Sequence, residues 1–404
     1  ILKRARCLVP NGLSHISRTV FLQQCISKNS AQGNETACYE ELGCFPMEDP
    51  WVSLRRPLPS PNCPAVIEVQ LYLYTRSVKE RQNVVLWPNI SLENTDFKAS
   101  RPKTVFITHG FASNGDADWL TKMKDAYLSL EDANVFIVDW GKGASFLNYL
   151  QVASNTRIVG AELARFGKYL IEKGVNKSNM HLIGHSLGSH ISSYMAKGLK
   201  DSTKVGRITA LDPAQPAFEN SPESVRLSEN DAQFVDVLHT DARPFIPFLG
   251  FGMMGAVGHA DFYLNGGSGQ PGCFSVPWRN VTSLGDLAKI PVEVISQLVS
   301  CSHGRSYEVF TSVLSSARNC TLWGRKMPSL ENFFKLTTLG QLSLADPLVK
   351  SFSKCSKDTC TILGLKTHLF VARGLFATST NRREPFCGKY CLFKNNFNLP
   401  VIHS

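Results

Sequence analysis

The sequence predicts an α/β protein built on a mostly parallel central sheet. Three observations carry that expectation. Short apolar, β-branched runs recur between residues 66 and 240. A long segment with helical periodicity lies between two of them. One run ends in Gly184-His185-Ser186-Leu187-Gly188 and passes straight into a second helical pattern. Strands alternating with helices favour parallel pairing through crossover connections.

Taken in order, residues 1 to about 65 form a cysteine-containing N-terminal extension, closed by Pro57, Pro59, Pro61 and Pro64. Val66 to Thr75 alternates apolar and polar residues, which predicts a half-buried strand. Lys103 to His109 and Asn134 to Trp140 read as short buried strands. From Leu147 to Gly174, the residues Val152, Val159, Leu163, Phe166 and Leu170 fall on one face of a helix. Met180 to Gly184 is the next strand and His190 to Lys197 lies in the helix after it. Val205 to Asp212 and Gln233 to Thr240 supply two more strands. Residues 66–404 are expected to be one catalytic unit, with the end of the extension as its start. No internal repeat or low-complexity tract is visible.

A strand, Gly-x-Ser-x-Gly and a helix make a nucleophile elbow, the hallmark of the α/β-hydrolase fold. The turn is so tight that side chains at Gly184 and Gly188 would collide with the neighbouring strand and helix. The turn lifts the Ser186 hydroxyl into the open, and the helix N-terminus points N–H groups at any developing oxyanion. A serine nucleophile needs a base, and the base an orienting acid, in the chain order Ser, acid, His. Acids that follow strands are Asp212, Asp236 and Asp241; Asp212 ends the very next strand. The later histidines are His239, His259, His303, His368 and His403, and spacing alone does not choose among them. Thr108 to Phe111, "THGF", follows an early strand, so a backbone N–H there and that of Leu187 make a two-donor oxyanion hole.

Composition bounds the rest. No uninterrupted apolar run approaches the roughly 18 residues of a membrane span. Twelve cysteines and five Asn-x-Ser/Thr sequons, at Asn34, Asn89, Asn176, Asn280 and Asn319, favour an oxidising, secretory route. The spacings Cys38/Cys44 and Cys355/Cys360 suggest small disulfide loops. The chain begins at Ile1 with no apolar leader, so a leader is expected to have been removed. The formal charge is +10, and Lys350 to Ser404 carries nine basic residues against Asp358 and Glu384. That charge suits an anionic surface or a sulfated glycan. No nucleic-acid-binding module accompanies it.

Further pieces match a known family in order: "CYEELGCF" from Cys38, "ITHGF", "VDW", "GHSLGSH", "LDPAQPAF", "FVDVLHTD", "GHADFYLNGG", "PGC" at Pro271 and "CSHGRSY" from Cys301. In these the chain resembles the pancreatic lipase family of secreted animal lipases, over roughly Cys38 to Tyr307, with a weaker match at "PFC" ending in Cys387. The resemblance implies a triad of Ser186, Asp212 and His303, and oxyanion donors at the N–H groups of Phe111 and Leu187. It also implies a disulfide from Cys273 to Cys301 that brackets a lid. The family's calcium site falls on Glu223, Arg226, Ser228 and Asp231, with Ser228 where an aspartate is usual. A hard cation prefers carboxylate oxygen, so calcium is doubtful here and no cofactor is expected to be required. No counterpart of the family's C-terminal lipid-binding β-sandwich is recognisable, so a colipase-type cofactor is not expected.

Residues 274–300, between the lid cysteines, mix Phe274, Trp278, Ile290, Val294 and Leu298 with polar residues. Such an amphipathic flap covers a site in water and turns its apolar face to lipid. Its length, and that of the apolar segment before it, are as in triacylglycerol lipases of the family. The basic C-terminal charge suits phospholipase A1 instead. A non-catalytic secreted lipid- or glycan-binding homologue is the alternative of another class, and the intact Ser, Asp and His weigh against it.

Overall fold

A computed structural model describes residues 36–39, 41–145, 148–245, 250–273, 301–316, 321–327 and 355–387. The chain opens on a hairpin of β1 (Thr36–Tyr39) and β2 (Gly43–Pro46), whose strands are joined by the Cys38–Cys44 disulfide. A single helical turn, α1 (Pro64–Ile67), precedes β3 (Gln70–Tyr74) and β4 (Gln82–Val84). The strand expected from Val66 therefore starts only at Gln70. Pro64 sets the first helical φ, and Glu68 ends the turn in the left-handed region at φ 49°, so the alternation across Val66 and Glu68 belongs to a turn and its cap.

The remaining elements follow the expected rhythm: β5 (Lys103–Thr108), α2 (Asp118–Leu130), β6 (Ala133–Asp139), α3 (Gly141–Ala144), α4 (Tyr149–Glu172), β7 (Met180–His185), α5 (Leu187–Gly198), β8 (Val205–Leu211), β9 (Ala232–His239), β10 (Ala260–Leu264) and α6 (Arg305–Ser315). The last strands are β11 (Leu322–Lys326), β12 (Cys360–Leu363) and β13 (Gly374–Thr378). Among the described residues, eleven strands form one sheet in the order β12-β11-β13-β10-β9-β8-β7-β5-β6-β3-β4. The run from β13 to β6 is parallel throughout; β3, β4, β11 and β12 add antiparallel margins.

Both faces of the sheet are covered, which is why its inner strands read as nearly continuous apolar runs. Phe106 and Phe136 face one layer, with Val152, Val159, Leu163 and Phe166 of α4 and Ile191 of α5. Val105, Ile107, Val135 and Ile137 face the other, against Leu120 and Met123 of α2 and Val309 and Phe310 of α6. Each such side chain contributes about 1.5–3 kcal/mol by leaving water. Ala37, Tyr39 and Phe45 of the hairpin sit in the first layer, packed into the same buried cluster as the sheet. The parallel strands place their C-terminal ends, and the loops after β5, β7, β8 and β9, along one rim.

Candidate active site

Ser186 follows β7 directly and caps α5, with φ 57° and ψ −122°. An L-residue rarely takes that conformation, and the packing around it enforces it. A Cβ on Gly184 would lie 2.2 Å from the Gly188 carbonyl oxygen, and one on Gly188 would lie 2.3 Å from that of Thr108. Glycine is the residue both positions admit. Leu187 is the first residue of α5, so its N–H has no intrahelical acceptor.

Asp212 immediately follows β8 and is fully buried, with φ 49°. Its Oδ1 accepts hydrogen bonds from the Thr240 and Asp241 N–H groups, at 2.7 and 3.1 Å. Its Oδ2 lies 2.5 Å from Nδ1 of His303. A proton on Nδ1 satisfies that pairing and leaves Nε2 with its lone pair free. Nε2 of His303 is buried and has no protein partner. Three groups hold the His303 backbone carbonyl: Ser306 Oγ at 2.9 Å, His185 Nε2 at 3.3 Å and Thr240 Oγ1 at 3.5 Å.

The other candidate acids and bases are engaged elsewhere. Asp236 takes a two-pronged contact from Arg207, at 2.9 and 2.7 Å. Asp241 pairs with Arg243 at 2.6 Å, and burial pushes its carboxyl up to about 6. His239 lies between Asp261 Oδ1 at 3.0 Å and the Met253 carbonyl at 2.8 Å, stacked on Tyr263. His259 Nδ1 accepts from the Val235 N–H, and His368 is exposed. His403 lies outside the described residues.

Phe111 lies one turn of chain beyond β5, with its ring edge-on to Tyr149 at 5.3 Å. The "THGF" and "VDW" stretches are locked to each other. Trp140 Nε1 donates to the His109 carbonyl at 2.9 Å, the Trp140 N–H donates to His109 Nε2 at 3.2 Å, and the two rings stack. Asp139 lies beside them. Burial opposes its ionisation, but His109 and the Gly141 and Gly115 N–H groups outweigh burial and bring its carboxyl down to about 2.

A profile of the family described as "Lipase" matches residues 35–340. The chain belongs to the lipase family. Over 284 residues it is 42% identical to pancreatic triacylglycerol lipase of Myocastor coypus, spanning 69% of this chain and 60% of that one. It is 42% identical to pancreatic lipase-related protein 2 of the same animal, over 70% of this chain and 59% of the relative. The human pancreatic triacylglycerol lipase is 41% identical, with 70% and 59% covered. The chain thus matches about three fifths of each relative's length.

Within this lipase-family chain, several side chains that shape the site carried no assigned role in the sequence. His185 packs against the His303 ring at 4.6 Å, and Tyr307 backs His185 at 4.9 Å. Trp119 of α2 stacks on Tyr307 of α6 at 4.7 Å. Phe251 closes the opposite side of His303, at 6.2 Å. His185 and Tyr307 sit inside quoted motifs, and that position was the available signal; Trp119 and Phe251 are brought in by tertiary packing alone. The Cys273–Cys301 disulfide is present, and Arg305 ties its base by donating to the Pro271 carbonyl at 3.1 Å. The lid residues 274–300 lie outside the described residues.

The four positions matching the family's calcium site are engaged by groups of the protein itself. The Asp231 carboxylate is bound by Lys197 Nζ at 2.7 Å, Ser193 Oγ at 2.7 Å and the Ser228 N–H at 2.9 Å. The Arg226 carbonyl is bound by Lys197 as well. Ser228 turns its hydroxyl to the Asn230 N–H, and Glu223 accepts from Asn230 Nδ2. Among the described residues no group of three or more His, Cys, Asp or Glu could hold a metal ion.

Proposed function

We propose that this chain is a secreted lipid esterase whose nucleophile is Ser186, with His303 as base and Asp212 as its orienting acid. One observation carries the reading: at the rim beside the elbow, His303 gives one ring nitrogen to a buried carboxylate and keeps the other buried and unpartnered. His303 Nε2 takes the proton from Ser186 Oγ as the oxygen attacks the ester carbonyl. The Phe111 and Leu187 N–H groups hold the oxyanion. His303 returns the proton to the departing alcohol, then draws one from water. That water attacks the acyl-enzyme, releases the fatty acid and restores Ser186. Asp212 stays ionised and stabilises the imidazolium formed in each half-reaction.

Triacylglycerol is the proposed substrate. The relatives named triacylglycerol lipases and the long span between Cys273 and Cys301 support it. Phospholipase A1 activity is the second reading, favoured by the basic balance after Lys350. Three disulfides among the described residues fit an oxidising compartment, and no helix there is long and apolar enough to cross a membrane.

The test is fatty-acid release from emulsified long-chain triacylglycerol and from phosphatidylcholine vesicles, with Ser186→Ala as control. Faster triacylglycerol hydrolysis, lost in the variant, is the expected result. Phosphatidylcholine cleavage with little triacylglycerol hydrolysis replaces the substrate. If a serine-reactive phosphonate fails to label folded protein with or without lipid, the chain is a binding protein.

A further inference from the structure

The loop that carries the family's calcium positions joins β8 to β9, between the Asp212 turn and the 3-10 turn Glu229–Asp231. It packs on α5, the helix that begins at Ser186. Side chains of α5 fix it there: Tyr194 Oη donates to the Val225 carbonyl and Ser193 Oγ to the Arg226 carbonyl. Leu227 N–H donates to His190 Nδ1 at 3.2 Å, and His190 Nε2 bonds the Ala214 carbonyl at 2.9 Å. A further contact is made by Lys197, in the last turn of α5.

An ammonium has three N–H donors and no acceptor. Lys197 finds three acceptors: Asp231 Oδ1 at 2.7 Å, Ser193 Oγ at 2.6 Å and the Arg226 carbonyl at 2.9 Å. Two of these, the Asp231 carboxylate and the Arg226 carbonyl, are oxygens the family resemblance assigns to the metal. Ser193 completes the ring by donating to Asp231 Oδ2 at 2.7 Å. The Asp231 side chain is only 4% exposed, so the carboxylate needs a cation beside it. The charges correspond. Where the family sets two aspartates around a divalent ion, this chain has Ser228 and one aspartate, and the cation that meets them is monovalent. Both sites are electrically balanced, each by its own ion.

We propose that the Lys197 ammonium stands in for the calcium ion at this loop, so that the fold here is held by a side chain of the protein itself. The Arg226 guanidinium does not compete for the place: it is turned back onto the Ser221 and Leu227 carbonyls, each at 2.8 Å.

The test needs no enzyme activity. Melting the full chain in a chelator and in millimolar calcium is expected to give the same Tm, and a terbium luminescence titration to show no saturable site. Lys197→Met keeps the aliphatic stem and removes the charge. It is expected to lower Tm by several degrees, and adding Asp231→Asn to recover a large part of that loss. A Tm of the unsubstituted protein that rises with calcium, or a saturable terbium signal lost in Asp231→Asn, overturns the proposal. So does a Lys197→Met variant as stable as its parent. The calcium measurements on the unsubstituted protein decide the matter even if the variants fail to fold.

Discussion

At Asp212 a single carboxylate serves two directions. One oxygen fixes the loop after β9 through the Thr240 and Asp241 N–H groups, and the other fixes His303. Asp212→Asn keeps the shape and can keep the loop bonds, but it favours the wrong imidazole tautomer. The expected outcome is a fall in kcat on a soluble ester of about 10⁴-fold, as in other Ser-His-Asp triads, with the melting curve little changed. Gly188→Ala acts differently. Its methyl meets the Thr108 carbonyl at 2.3 Å and the His109 carbonyl at 2.8 Å, both backbone atoms that cannot swing aside. Overpacking of this kind costs about 1–3 kcal/mol, so this variant loses Tm as well as activity. Comparing the two by calorimetry and ester hydrolysis separates chemistry from architecture.

Among the elements, α4 carries the sharpest pH signal. Glu162 is buried on that helix; its Oε1 accepts from Trp87 Nε1 at 3.2 Å and its Oε2 has no protein partner. Burial pushes its carboxyl up to about 8. The folded state therefore keeps a proton that the unfolded chain has already released above its ordinary value of 4.5. Stability then falls as pH climbs from about 4.5 towards about 8, because the native state binds more protons there. Glu162→Gln is uncharged at every pH and removes that slope. Its Tm should match the parent under mildly acidic conditions and exceed it at slightly alkaline pH; equal Tm values across the range would refute the assignment. Between elements, the Trp119–Tyr307 stack joins α2 to α6 and supports His185 behind the His303 ring. Such an aromatic pair is worth about 0.5–1.5 kcal/mol beyond its buried area. Trp119→Ala is expected to lower kcat more than it changes KM, since it loosens the base and not the substrate's binding surface.

For the whole molecule, the basic balance predicts electrostatic attraction to anionic lipid. Binding to phosphatidylglycerol vesicles should weaken steeply as salt is raised, while binding to neutral vesicles should hardly change; cosedimentation measures both. The parts legible in the sequence were those where local pattern and tertiary role coincide. Strands buried on both faces appear as apolar β-branched runs, and the elbow appears as two glycines spaced around a serine. Other parts lacked a local mark. Helix α2 starts at Asp118 behind Ala117, an N-cap whose side chain can bond no N–H, so the usual start signal is missing. In α6, Val309, Thr311 and Val313 alternate as a strand would, and only burial on one side of the sheet reveals the helix. Strands β11 to β13 are short and defined by distant pairing. The residues that steady His303 come from α2, α6 and the segment around Phe251, and sequence spacing holds no record of their meeting. Asp212 was marked by its place after the next strand; spacing left His303 as one of five histidines, the family resemblance singled it out, and its Nδ1 lies against Asp212.

The position of β13 has a consequence for how the chain must be made. Leu264 of β10 pairs with Thr378 of β13, and Ala260 with Gly374, as the last parallel ladder of the sheet. On a ribosome, Ser186, Asp212 and His303 would all emerge well before the strand that covers β10's open side. A nascent chain halted between Ser315 and Gly374 would hold Ser186, Asp212 and His303 and an unpaired backbone edge at Ala260–Leu264, a template for another chain's strand. Synthesis of the final segment, and not the arrival of Ser186, Asp212 and His303, would then be the step at which the protein passes from a sticky intermediate to a closed sheet.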